Sequence, residues 1–326
     1  MTINDCMTGS FKYKRGEKMK KLIVLGSLNM DISIQSDYMP KSGETINGYG
    51  FLMNSGGKGG NQAVAAAKMG VDVKMIAKVG NDIFGKQLVT DLSNYGVDVS
   101  SVEFSNDVSS GVAVITRYNN DNRIILNNGA NHALDMDSIK DKLKKIANKG
   151  DIFLTQLENE LDIVTNSIKY AKELGLYTII NPAPALKIDD ELYQYLDLVI
   201  VNQSECELLT GIYPEYDNTY KTAINAFNRK GVNVIITLGT DGSITNYAGG
   251  YEHIKSRKVD VVDTTAAGDS YIGALCRYLV YDKDFIEGLK FASDVAALTV
   301  TKKGAQVSIP YFNEVKEYYK EEQNYE

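Results

Sequence analysis

The chain has 326 residues, 44% of them hydrophobic and 24% charged, which is enough apolar material for one large globular core and excludes a chain that stays unfolded. A net charge of −7 argues against a nucleic-acid-binding or anionic-membrane-binding surface, while still allowing a locally positive pocket. Cys6, Cys206 and Cys276 are odd in number and widely spaced, which excludes a disulfide framework or structural zinc and points to reduced thiols in a cytoplasmic protein.

Residues 1–18 are polar and basic, without an apolar run of signal-peptide or membrane-span length. We expect 1–19 to be a disordered extension, with Met19 a second plausible start, ahead of a single α/β domain over 20–326. The apolar run 22–25, closed by Gly26, reads as a buried first strand that ends in a ligand-facing loop, 27–31. Alternation over 32–35, turn chemistry at Pro40 and a strand candidate over 45–51 are antiparallel signals. A helix from Asn61, a strand over 73–79 and a helix over 84–95 set a βαβ rhythm. Segments 111–118 and 123–126 flank Asn119-Asn-Asp-Asn122 as a hairpin. The two β excursions, over 32–55 and 108–128, are expected to pair into a small sheet outside the main one.

Downstream, strands over 152–157, 177–181, 198–201 and 234–238 alternate with helices over 161–174, 189–196, 204–209 and 219–230. That alternation predicts a doubly wound, mostly parallel sheet with helices on both faces. A hairpin around 246–251, a helix after Thr265, a helix from Phe285 to about Lys302 and a charged C-terminal helix complete the chain. Ligands in such sheets sit at strand carboxyl ends, where Asn29, Glu158, Asn181, Asn202 and Gly239 fall. Only His132 and His253 are present, without metal-binding spacing, so a histidine-built metal site or a Ser-His-Asp hydrolase is disfavoured.

Two motifs carry chemistry. In Asp263-Thr-Thr-Ala-Ala-Gly-Asp269, the N–H groups of Ala266, Ala267 and Gly268 would open a helix, where the macrodipole favours an anion. Asp269 would then stand where it takes a proton from a hydroxyl attacking a bound phosphate. An isolated Asp at this place is more often a helix cap. The second motif, Ser55-Gly-Gly-Lys-Gly-Gly-Asn-Gln62, shifts the balance, because four glycines around Lys58 let a ligand approach the backbone closely. It is neither a Walker A loop, since Gly59 follows Lys58, nor a dinucleotide fingerprint.

Together with Gly26-Ser-Leu-Asn-Met-Asp31, Gln156-Leu-Glu158, Asn181-Pro-Ala-Pro-Ala185, Asn202-Gln-Ser-Glu205, Thr237-Leu-Gly-Thr-Asp-Gly242 and Lys303-Gly-Ala-Gln306, the chain resembles the ribokinase-like (PfkB) carbohydrate kinases over about residues 20–311. The resemblance implies a ribokinase-like α/β fold with a β-sheet lid, and ATP-dependent phosphorylation of D-ribose at its 5-hydroxyl. It implies that Asn29, Met30, Asp31, Gly57, Lys58, Gly59, Gly60, Asn61 and Glu158 hold the sugar and that Asp269 is the base. It places ATP on Asn202, Glu205, Thr237, Leu238, Gly239, Thr240, Asp241, Gly242 and Ser293, with Mg²⁺ near Glu205 through water. A potassium ion would lie on Asp263, Thr265, Thr299, Lys302, Gly304 and Ser308, although Asp263 also reads as a strand-end residue satisfying nearby N–H groups. A homodimer through an exposed apolar lid face is expected. Alternatives are a kinase of deoxyribose, another pentose or a nucleoside, or a catalytically silent sugar-binding protein of this fold.

Overall fold

The computed structural model describes residues 19–119, 121–247 and 250–323; the expected N-terminal extension and Cys6 therefore lie outside the described residues, apart from Met19. The chain opens with β1 (Leu22–Leu25), whose four side chains are fully buried. Successive strand side chains point to opposite faces. Leu22 and Val24 accordingly join one apolar layer, and Ile23 and Leu25 the other.

The chain then runs through β2 (Asn29–Gln35), β3 (Tyr49–Gly56), α1 (Lys58–Lys68), β4 (Val73–Gly80), α2 (Ile83–Asn94), β5 (Asp98–Ser105), β6 (Gly111–Tyr118) and β7 (Asp121–Asn127). After α3 (Met136–Ile146) come β8 (Ile152–Gln156), α4 (Leu161–Glu173), β9 (Tyr177–Asn181), β10 (Leu198–Asn202), α5 (Gln203–Thr210), α6 (Asp217–Arg229) and β11 (Asn233–Thr237). The chain ends with β12 (Ser243–Thr245), β13 (Glu252–Ile254), α7 (Ala267–Val280), α8 (Phe285–Thr299) and α9 (Phe312–Gln323).

Nine strands form the main sheet in the order β13-β12-β11-β10-β9-β8-β1-β4-β5, in which β12 alone runs against the others and pairs antiparallel with both β11 and β13. Helices α1, α2, α7 and α8 cover one face, and α3 to α6 the other. The chain fans to opposite sides from β1, between β8 and β4, so a crevice opens at the carboxyl ends of β1 and β8. Over it stands a separate four-stranded sheet, β3-β2-β6-β7, matching the lid expected from the two β excursions.

Several boundaries differ from the sequence reading, each for a local reason. Asn29, Met30 and Asp31 do not form a loop; they begin lid strand β2 by pairing with Gly56, Ser55 and Asn54 on one side and Gly111, Val112 and Ala113 on the other. The strand expected over 45–51 is displaced to Tyr49–Gly56, so it runs directly into the glycine motif. The helix expected over 189–196 is a single 3-10 segment, Asp190–Tyr195, started by the Asp189 carboxylate accepting from the Glu191 N–H. Two elements, β5 and α3, were not anticipated. β5 is a polar edge strand with weak alternation, while α3 presents only Ile139 and Leu143 as fully buried residues among lysines and aspartates.

Asp82 fastens the lid to the body. Its carboxylate accepts from Gly85 N at 2.8 Å, capping α2, and from Ser110 N and Oγ, both at 2.8 Å, just ahead of β6. Burial opposes the ionised form, but these hydrogen bonds outweigh it and hold the carboxyl below its usual value. Asp82→Ala should therefore cost about 1–3 kcal/mol of stability in chemical denaturation near neutral pH. The loss should shrink as pH falls and the wild-type carboxylate protonates, and amide exchange should quicken at the start of β6.

Candidate active site

The crevice holds a cavity of about 370 Å³ lined by Asn29, Asp31, Lys58, Asn61, Glu158 and Asp269, roofed by lid residues of β6 and β7. Its floor is set where α1 starts against the end of β1. At Gly57 φ is +86°, and a Cβ there would stand 2.8 Å from Ser27 O and Asn29 N. At Gly59 a Cβ would meet Ser27 N at 2.6 Å, so this glycine serves helix-to-strand contact rather than ligand contact. Gly59, Gly60 and Met30 are buried behind the wall and do not line the cavity, in contrast to the other sugar-site residues expected from the sequence.

Glu158, just beyond β8, accepts from Lys58 N at 2.9 Å, from Ser27 Oγ, and weakly from Asn29 Nδ2 at 3.4 Å. Asn29 is oriented by a residue the sequence reading missed. Asn131 donates from Nδ2 to Asn29 Oδ1 at 2.7 Å and accepts from Leu28 N at 2.9 Å, which leaves the Asn29 NH₂ aimed toward the carboxylates. The signal available was the small-residue run Gly129-Ala-Asn131, far from both motifs in sequence.

The Asp31 carboxylate has no hydrogen-bond partner among the described residues. Burial, then repulsion from Glu158 and from Asp269, raises its carboxyl to about 7. Lys58 answers this acidity. Burial pulls its ammonium down, but Asp269, Glu158 and Glu205 outweigh burial and leave it above its usual value.

Asp269 is not the cap of α7. That place belongs to Ala266, held in the left-handed region at φ +61°, while Asp269 sits three residues into the helix. Its Oδ2 accepts from Asn61 Nδ2 at 3.0 Å and its Oδ1 from Gln62 Nε2 at 2.9 Å, so the head of α1 orients the acid on α7. Gln62 is itself fixed by Gln156 Nε2 at 2.6 Å and by Asn181 Oδ1 at 3.1 Å. These glutamines and Asn181 were visible in the motifs, but their role is created by the fold.

A second cavity of about 220 Å³ meets the first at Lys58, Ala266 and Asp269 and is lined further by Asn202, Glu205, Thr237, Ala267 and Gly268. The Ala266 and Gly268 amides donate to no protein group among the described residues. The Ala267 amide, expected to be free, instead donates to Thr264 O at 3.2 Å and closes the turn. Leu238, Gly239, Thr240, Asp241, Gly242 and Ser293 lie outside the walls of this cavity, with Gly239–Asp241 forming an exposed 3-10 turn beyond it. Asn202 and Glu205 form a reciprocal cap at the head of α5, the Asn202 N–H donating to Glu205 Oε2 at 2.9 Å and Glu205 N to Asn202 Oδ1 at 2.8 Å. Burial raises the Glu205 carboxyl.

Among the described residues no cluster of three or more His, Cys, Asp or Glu side chains is placed to hold a metal, and the carboxylates on the wall of the second cavity are those of Glu205 and Asp269. Asp263 does not face open space. Its Oδ1 accepts from Thr265 N at 2.9 Å and Thr265 Oγ1 at 2.6 Å, and its Oδ2 from Gly304 N at 3.0 Å. Thr299 O accepts from Lys302 N at 3.2 Å, Ser308 Oγ donates to Ala305 O at 2.8 Å, and the Lys302 ammonium pairs with Glu314. The group remains an all-oxygen set with one negative charge, which suits a hard cation. Cys206 and Cys276 are buried free thiols, and no helix among the described residues is long and apolar enough to cross a membrane.

A model of the pfkB carbohydrate kinase family matches residues 19–311. The ribokinase of Haemophilus influenzae is 38% identical, covering 92% of this chain and 98% of its own. The deoxyribokinase of Salmonella typhi is 36% identical, covering 91% and 98%. The structure of Arabidopsis thaliana ribokinase complexed with ribose and ATP aligns with a TM-score of 0.84 at 29% identity, over 92% of this chain and 98% of that one.

The raised carboxyl of Asp31 costs the fold stability that grows as pH rises from the unfolded-state value of 3.8 and is fully felt above about 7, because the folded state must either keep a proton or hold in a buried site a charge the unfolded chain carries freely. Asp31→Asn should raise stability by about 1–3 kcal/mol at mildly alkaline pH. The gain should fade as pH drops toward the unfolded-state value, as read from thermal unfolding at two pH values.

Proposed function

This chain belongs to the pfkB family of carbohydrate kinases, and from that premise we propose that it transfers the γ-phosphoryl group of ATP to the 5-hydroxyl of D-ribose, giving D-ribose 5-phosphate and ADP. The observation that carries the reading is the meeting of the two cavities at Lys58, Ala266 and Asp269, where the hydroxyl of a ligand in one would face the phosphate of a ligand in the other. Asn29, Asp31, Asn61 and Glu158 supply the donors and acceptors that vicinal hydroxyls require. Asn61 donates from Nδ2 to the Asp269 carboxylate and so stands between the sugar side of the site and the acid.

Asp269 orients the 5-hydroxyl and receives its proton. A carboxylate is far too weak a base to ionise an alcohol beforehand, so the proton moves late, as the bond to phosphorus forms. Its placement by Asn61 and Gln62 therefore matters more than its basicity. Charge gathering on the migrating phosphoryl is met by the Ala266 and Gly268 amides and by the Lys58 ammonium. Mg²⁺ held near Glu205 and Asn202 and K⁺ held by Asp263, Thr265, Thr299, Lys302, Gly304 and Ser308 would neutralise negative charge on either side of this turn. Lid closure excludes water and suppresses idle ATP hydrolysis.

We assign a homodimer to the lid. Its outer face aligns Ile32 with Met53 and Val114, and Val114 with Ile125, and Met53, Val114 and Ile125 are each more than two-fifths exposed. Ile125→Asp should convert a dimer to monomers in sedimentation analysis.

Sugar-dependent ADP release tests the main reading. Asp269→Asn should lower kcat about 10²–10⁴-fold while calorimetry still detects sugar binding. As pH falls through about 7, Asp31 gains its proton and kcat/KM for the sugar should fall. The similarity to a deoxyribokinase supports deoxyribose as the second reading. Asn29 can bond a 2-hydroxyl, so ribose should be preferred, and equal turnover of both sugars would displace it.

A further inference from the structure

Lys68, the last residue of α1, is only 5% exposed yet keeps its ammonium. Nζ donates to Gln306 O and to Ile309 O, both at 2.8 Å, and lies between the rings of Tyr95 and Tyr311, 4.6 and 4.9 Å from their centroids. The bonded carbonyls belong to the 304–309 loop. That loop begins with the Gly304 N–H donating to Asp263, whose other oxygen fixes Thr265 at the entrance to the anion-binding turn. Gln306, 3% exposed and with neither side-chain polar atom bonded, packs its Nε2 3.2 Å from where a Cβ on Gly60 would stand. The loop thus touches α1 at both ends, and α1 is a rigid strut roughly 16 Å long.

We infer that Lys68 is a positioning residue for phosphoryl transfer: by tying the foot of α1 to the 304–309 loop, its charge holds the anion-binding turn in place relative to the sugar-binding turn at the head of the same helix. The groups facing the ammonium are Tyr95 at the end of α2, Tyr311, Glu314 of α9 and Lys302. Burial lowers its pKa most, Glu314 opposes this and Lys302 adds to it, leaving Lys68 at about 8. Lys58 is shifted upward and the Cys206 and Cys276 thiols to about 11 and about 12, so none of these loses its proton near pH 8.

The inference rests on the kinase reading and is tested with steady-state kinetics of the full chain across neutral and alkaline pH. Wild-type kcat should fall as pH rises through about 8, whereas Lys68→Arg, which keeps its charge, should remain active well beyond it. Lys68→Met, with kcat counted per active site by titration, should be about tenfold below wild type at neutral pH with KM for ribose within about twofold, and should lack the fall through about pH 8, so that wild type approaches it at alkaline pH; loss of folded protein alone would leave the pH dependence in place. A flat wild-type profile, or a Lys68→Arg profile that coincides with wild type, overturns the inference, and both can be read even if Lys68→Met does not fold. A wild-type protein that releases no ADP with any sugar defeats the kinase reading itself.

Discussion

Three carboxylates, Asp31, Glu158 and Asp269, share one cavity, and the rest of the site is arranged to make that tolerable. Their repulsion is relieved in three ways. The Lys58 ammonium stands among them, its backbone N–H serves Glu158, and side-chain amides from Asn61 and Gln62 serve Asp269. Asp31 receives none of this help and shows the residual strain as a raised carboxyl. On the proposed kinase reading, the hydroxyls of a bound sugar would supply Asp31 with donors that the protein does not.

The same crowding explains why two helices point into the crevice. The heads of α1 and α7 carry the positive ends of their dipoles, a counterweight to acids and to phosphate: the first amides of α1 are taken up by Glu158 and Ser27, whereas the Ala266 and Gly268 amides at α7 donate to no protein group among the described residues. Their mutual placement is enforced by side-chain amides running from Asn181 through Gln62 to Asp269, and at the far end of α1 by Lys68. A left-handed Ala266 costs of the order of 1 kcal/mol, and it is held there because the turn is closed by the Ala267 N–H and pinned through Thr265 to Asp263.

The lid is built into the same logic. Asn29 and Asp31 are the first residues of β2, so the strand that covers the cavity also begins with two of its binding groups. Asp82 anchors neighbouring β6 at its base, which makes the lid a hinged continuation of the site rather than a detached flap.

By itself the sequence determined the parallel α/β architecture, because apolar runs of strand length alternate with helix-period segments, and it singled out Lys58, Glu158, Asn202, Glu205 and Asp269, which the fold brings to the walls of the two cavities. It did not reveal the polar edge strand β5 or the sparsely apolar α3, whose patterns are weak without the layers they pack against. Nor did it assign roles to Asn131, Gln62, Gln156 or Lys68, or show that the Ala267 amide is already bonded. Asn131, Gln62, Gln156 and Lys68 act through partners 94 to 241 positions away along the chain. Local pattern reports the period of a segment and the chemistry of a motif. Which donor meets which acceptor across such separations is decided only when the sheet brings the strand ends and helix heads into one crevice.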